Sequence, residues 1–108
     1  MDLKNAKVLV TGSTSGIGSA TAKRLAAAGA AVAICGRNAE RLRLAAAAAG
    51  AVPVEADVSR EADVARLVET VIRELGGYDT LINNAGFGRF APLIEMTTHD
   101  FRSVWETN

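Results

Sequence analysis

Three glycines, Gly12, Gly16 and Gly18, stand in the run Thr11-Gly12-Ser13-Thr14-Ser15-Gly16-Ile17-Gly18, directly behind the apolar triplet Val8-Leu9-Val10. A strand that ends in a tight turn and hands over to a helix aims unpaired backbone N–H groups and the positive end of the helix dipole at one spot. That arrangement suits a phosphate or diphosphate. Gly12 would permit the turn, Gly16 would let the main chain approach the anion, and Gly18 would let the new helix lie near its strand. Ser13, Thr14, Ser15 and Ile17 complete the candidate cradle. The spacing Gly-x-x-x-Gly-x-Gly departs from the common Gly-x-Gly-x-x-Gly, so a different turn is expected; a plain flexible loop is the competing reading.

Such a cradle needs strands and helices in alternation, and strand-like and helical periods do alternate along the chain, as in repeated βα units around a parallel sheet. The first strand is expected at about Lys7–Thr11 and the first helix at about Gly16–Ala28, burying Ile17, Thr21 and Leu25 and stopped by Gly29. A second strand at Ala31–Cys35 leads to a helix capped by Asn38, with Leu42, Ala45 and Ala49 toward the sheet and Gly50 as its end. A third strand at about Val52–Glu55 carries Pro53, which fits a sheet edge. Ser59 is the expected cap of a third helix, where Val64, Leu67, Val68, Val71, Ile72 and Leu75 repeat at helical spacing before Gly76-Gly77. A fourth strand at Thr80–Asn83 precedes a last helix from about Thr98, with Thr97 and Asp100 at capping-box spacing. Met96, Phe101 and Trp105 are expected to pack that helix onto the sheet. Right-handed crossovers give the order 3-2-1-4, a three-layer, doubly wound Rossmann-type α/β fold with the glycine turn beside the point where the order reverses.

The 108 residues suit one domain, expected to bind NAD(P) across residues 1–108. Apolar residues make up 49 % and the formal charge is zero, which argues against disorder, a nucleic-acid partner and a polybasic membrane patch. The amino terminus lacks the layout of a signal peptide and no apolar run approaches membrane-spanning length, so a cytoplasmic location is expected. The lone Cys35 reads as an inert buried thiol and the single His99 as an exposed residue of the last helix; no metal is expected.

The end of the second strand bears on which dinucleotide would bind. An acidic residue there would grip a ribose 2′-hydroxyl and repel a 2′-phosphate. The place is held by Gly36 and followed by Arg37, whose guanidinium can pair with a 2′-phosphate, so NADP(H) is favoured over NAD(H). A solvated charge at the start of a helix is the rival reading of Arg37, and Ser15 leaves the glycine loop without a basic residue of its own.

With Thr-Gly-x-x-x-Gly-Ile-Gly at residues 11–18, Asp57-Val58 after the third strand and Asn83-Asn84-Ala85-Gly86 after the fourth, the chain resembles the short-chain dehydrogenase/reductase family. The likeness covers the amino-terminal, cofactor-binding half of that family's usual length. It implies that Asp57 bonds the adenine amino group, that the Val58 backbone meets the ring, that Asn84, Ala85 and Gly86 line the adenosine side, and that Asn83 helps hold the glycine loop. Read alone, Asp57 is also a plausible turn residue and the Asn-Asn-Ala-Gly stretch a strand end.

The family moves hydride between nicotinamide and a carbonyl or alcohol, using a serine, a Tyr-x-x-x-Lys pair and an asparagine that completes a proton relay. Asn108 matches that asparagine. The only tyrosine, Tyr78, is followed four residues on by Ile82, so the lysine that would lower a phenol's pKa is missing. The expected role is therefore the NADP(H)-holding half of such an oxidoreductase, as a truncated form or a piece, binding cofactor without turnover. The alternative is a non-catalytic nucleotide-binding or interaction module that pairs with a full-length relative or a second half, through an uncovered fourth strand and the last helix. The resemblance also implies that this helix contributes to a subunit interface.

Overall fold

Short, largely apolar runs build the sheet. In the computed structural model, which describes residues 2–87 and 90–108, β1 (Lys7–Val10) lies between β2 (Ala31–Gly36) and β4 (Thr80–Ile82), and β3 (Val52–Glu55) lies outside β2. All pairings are parallel: Val8 faces Val32 on one side and Thr80 on the other, and Ala33 faces Val52. The order β3-β2-β1-β4 is the expected one, and Pro53 sits on an edge strand where its missing N–H breaks no inner ladder.

Alternation along β1 and β2 divides the core between the two faces of the sheet. Val8, Val10, Val32 and Ile34 are buried beneath α1 (Gly16–Ala27) and α2 (Ala39–Ala49), whose Ala22, Leu42, Ala46 and Ala49 meet them. Leu9, Ala33, Cys35 and Val54 point the other way, onto Leu67 and Val71 of α3 (Glu61–Leu75). The result is a three-layer Rossmann-type α/β fold.

Helix ends follow local chemistry. The Asn38 side chain accepts from the Arg41 N–H at 3.0 Å to open α2, and Gly50 and Gly76 close α2 and α3 at φ +71° and +75°, values that L side chains seldom adopt. Thr97 and Asp100 form the reciprocal capping box that starts α4 (Thr98–Thr107).

Four expectations need correction. The buried stripe of α1 is Gly18 and Ala22, with Leu25 and Ala26 partly covered, while Ile17 is 79 % exposed; the close seat of Gly18 on its own loop turns that face inward. In α2 Leu42 and Ala49 are buried as expected, but Ala46 is buried with them while Ala45 is only partly covered. Ser59 does not cap α3: its hydroxyl donates to Asp57, and the cap position falls to Arg60, which makes no side-chain capping bond. No residue of α4 is buried, and Phe101 and Trp105 are 64 % and 76 % exposed, because no part of the described sheet extends beyond β4 beneath them. Strand ends shift by one residue at β1, β2 and β4. The exposed apolar side chain of β4 is Leu81, which shares the α3 face with its neighbour Leu9; Ile82 packs into the cluster beneath α1. No helix among the described residues is long and apolar enough to cross a membrane.

Candidate functional site

The loop from β1 to α1 is held in place by main-chain groups and three side chains. The Thr11 N–H donates to the Ile82 carbonyl at 3.1 Å, and the Thr11 hydroxyl accepts from the N–H groups of Asn84 and Ala85, each at 3.1 Å. Asn84 Nδ2 donates to the Gly12 carbonyl at 2.9 Å. These bonds weld the turn after β1 to the segment after β4. Ser13 anchors the loop from below: its N–H reaches the Cys35 carbonyl at 3.4 Å and its buried hydroxyl donates to the Val10 carbonyl.

Close backbone packing explains two of the glycines. Gly12 has φ +64°, and a Cβ there would lie 2.6 Å from Ala85 Cα. At Gly18 a Cβ would strike Asn84 Nδ2 and come within 2.7 Å of the Gly12 carbonyl oxygen. Above this base Ser15 is the N-cap of α1, and its side chain makes no capping bond. The first-turn amides of α1 have no intrahelical acceptor and no serine oxygen across them, which leaves them for an anion. At Gly16, φ is +60° and a Cβ would meet nothing within 4 Å, so open space lies over the turn. The residues present fit the diphosphate of a dinucleotide.

A hollow of about 390 Å³ opens over this turn at the carboxyl ends of β1, β2, β3 and β4. Gly12, Thr14, Ser15 and Ile17 form its floor; Gly36, Arg37, Asp57 and Val58 its β2–β3 side; Asn84, Ala85 and Gly86 the opposite side. Most sequence-predicted residues therefore converge. Ser13 and Gly18 do not line the hollow; they support it from behind. Gly16 shapes the turn at its rim. The hold on the glycine loop comes from Asn84 and not, as the resemblance implied, from Asn83, which lines an apolar groove on the α3 side.

Asn108 also lies in that groove. Its amide clamps the main chain of Phe87, Oδ1 accepting from the N–H and Nδ2 donating to the carbonyl, both at 2.9 Å. Thr11, Phe87 and Thr107 are additions that sequence reasoning did not assign: Thr11 as the latch, the other two as walls of the hollow. The threonine in Thr-Gly was the available signal for the first.

Charge at the site is set locally. The Ser59 hydroxyl, at 2.6 Å, and then the Ser59 N–H hold the Asp57 carboxyl below the usual carboxylate range; partial burial works against them, and the positive charges of Arg37 and Arg60 add to the lowering. Asp57 is thus an ionised acceptor at the β3 end of the hollow. Burial pushes the Cys35 thiol up, against a smaller opposing effect of the Gly12 main chain, so a protonated thiol lines the wall. His99 is exposed on the first turn of α4, as expected.

The profile of the family described as short chain dehydrogenase matches residues 6–108. The chain belongs to the short-chain dehydrogenase family. Among relatives, glucose 1-dehydrogenase of Gluconobacter oxydans (strain 621H) is 42 % identical over 108 residues, covering 94 % of this chain and 41 % of the relative. Gluconate 5-dehydrogenase of the same strain is 41 % identical, covering 98 % of this chain and 43 % of the relative. A short chain dehydrogenase from Burkholderia cenocepacia J2315, solved in complex with NADP, superposes with a TM-score of 0.91 at 37 % identity, over 99 % of this chain and 46 % of that one. A short-chain type dehydrogenase/reductase from Mycobacterium marinum gives a TM-score of 0.93 at 31 % identity, over 98 % and 45 %. The chain spans less than half the length of these relatives. Family and fold together make it a dinucleotide-binding scaffold of the oxidoreductase type.

Proposed function

We infer that this chain is the NADP(H)-holding half of a short-chain dehydrogenase-type oxidoreductase, which transfers hydride between nicotinamide and a carbonyl or alcohol. The observation that carries the cofactor choice is the end of β2. Gly36 stands where an acid would bind a ribose 2′-hydroxyl, and Arg37 reaches the hollow beside it. Similarity to a relative solved with NADP supports the same reading. The first-turn amides of α1 would take the diphosphate, Asp57 the adenine amino group, and Asn84 would keep the turn in shape by its bond to Gly12.

The bound nicotinamide supplies the hydride carrier, and the protein must still place a substrate and move a proton. Within these residues Tyr78 has no lysine four positions on, and Asn108 is engaged with the Phe87 main chain. The 108-residue chain accordingly holds cofactor without turning over a carbonyl substrate. Titration calorimetry should register NADPH binding, about tenfold or more tighter than NADH. No heat with either nucleotide at millimolar concentration would sink the cofactor role, and a measurable rate from pure chain would sink the half-enzyme role.

One observation favours a second reading, an interaction module: Phe101 and Trp105 lie exposed four residues apart on one face of α4. Oligomeric state separates the two readings.

A further inference from the structure

Beside the cofactor hollow lies a second, polar one of about 340 Å³, and Arg37, Ala56 and Asp57 wall both. Arg60, at the N-cap of α3, lines the second hollow together with Arg37. The remaining charged residues there are Glu55, Asp63 and Arg66. Arg66 is already committed: it donates to the Glu55 carbonyl at 2.6 Å and lies 3.9 Å from the Asp63 carboxylate. Asp63 in turn accepts from the Asp57 N–H at 2.8 Å. Arg37 and Arg60 form no ion pair among the described residues, although both act on the Asp57 carboxylate through space.

A ribose 2′-phosphate brings a charge of roughly −1.5 to −2, as other phosphate monoesters do at neutral pH. One arginine opposite an ionised Asp57 only balances that carboxylate. Ser15 adds no cation from the glycine loop, so a phosphate at this end needs another source of positive charge. We propose that Arg60 is that source: with Arg37 it forms a two-arginine clamp on the adenosine 2′-phosphate, making Arg60 a specificity-determining residue for NADP(H). This rests on reading the main hollow as an NADP(H) site.

The test is calorimetric titration of the full chain with NADPH and with NADH, for the wild type and for Arg60→Gln, Arg60→Lys and Arg37→Gln. Arg60→Gln should weaken NADPH about five- to tenfold, the span of one solvent-facing charge-assisted contact, and leave NADH within about twofold. Arg60→Lys should keep most of the wild-type affinity. Arg60 makes no capping bond, so its variants should melt with the wild type; should they melt lower, a steeper salt dependence of NADPH than of NADH binding in the wild type, retained in Arg60→Lys, carries the test. If Arg60→Gln changes neither nucleotide, or both equally, while Arg37→Gln abolishes a wild-type preference for NADPH, the clamp is wrong and the NADP(H) site stands. If the wild type binds NADH as tightly as NADPH, the site reading fails and the clamp with it.

Discussion

Gly36 is crowded although it carries no side chain: a Cβ there would lie 2.7 Å from Thr14 Cγ2. An aspartate at this position must first displace the threonine methyl, and its carboxylate would then stand next to Arg37 and face a 2′-hydroxyl or a 2′-phosphate. Gly36→Asp should therefore lower NADPH affinity by roughly tenfold or more, about 1.4 kcal/mol, and shift preference toward NADH. Paired titrations with the two nucleotides measure it, and an unchanged ratio would mean that position 36 does not face the ribose. Displacing Thr14 costs both cofactors alike, so it lowers both affinities without altering their ratio. Asn83 and Asn84 teach a related point. Identical side chains one residue apart leave β4 on opposite sides, one toward the glycine turn and one toward the apolar groove, and composition does not distinguish them.

At the scale of elements, Gly18 shows how a tertiary contact overrides helical pattern. Its position against Asn84 Nδ2 and the Gly12 carbonyl fixes which face of α1 turns inward, so Ala22 is buried and Ile17 is left at the hollow. Gly18→Ala gains about 1 kcal/mol of helix propensity but forces a methyl into backbone that cannot yield, at about 1–3 kcal/mol. The net expectation is a chain destabilised by up to about 2 kcal/mol, read from denaturant midpoints, with weaker cofactor binding because the Asn84 bond to the turn is disturbed. A stabilised variant would show that the helix can slide away from its loop. Elements set by local chemistry were legible in the sequence: the apolar runs of β1 and β2, the Asn38 cap, the Thr97–Asp100 box, the glycine stops, and with them the strand order. The candidate site was legible where the glycines, Arg37 and the Asn84-Ala85-Gly86 stretch converge. What escaped depends on competition between partners distant in sequence or sharing one turn. Ser59 looked like a cap until Asp57 took its hydroxyl, and the latch role of Thr11 exists only because β4 returns beside β1.

For the whole molecule, the unbalanced feature is the surface beyond β4. Leu81 is 47 % exposed on the open edge of the sheet, and α4 presents Phe101 and Trp105 to solvent with no layer over them. Burying either aromatic would contribute about 1.5–3 kcal/mol, enough to drive association at modest concentration when both take part. A twofold crossing of α4 with its copy sets the same aromatic pair against itself, so one surface serves both partners. Sedimentation velocity at rising concentration should show reversible self-association, and Phe101→Ser combined with Trp105→Ser should return the chain to monomer. The double variant should melt within a few degrees of the wild type, because neither side chain is part of the described core. A wild-type chain that stays monomeric throughout would remove the support for an interaction role and leave cofactor holding as the function these residues carry.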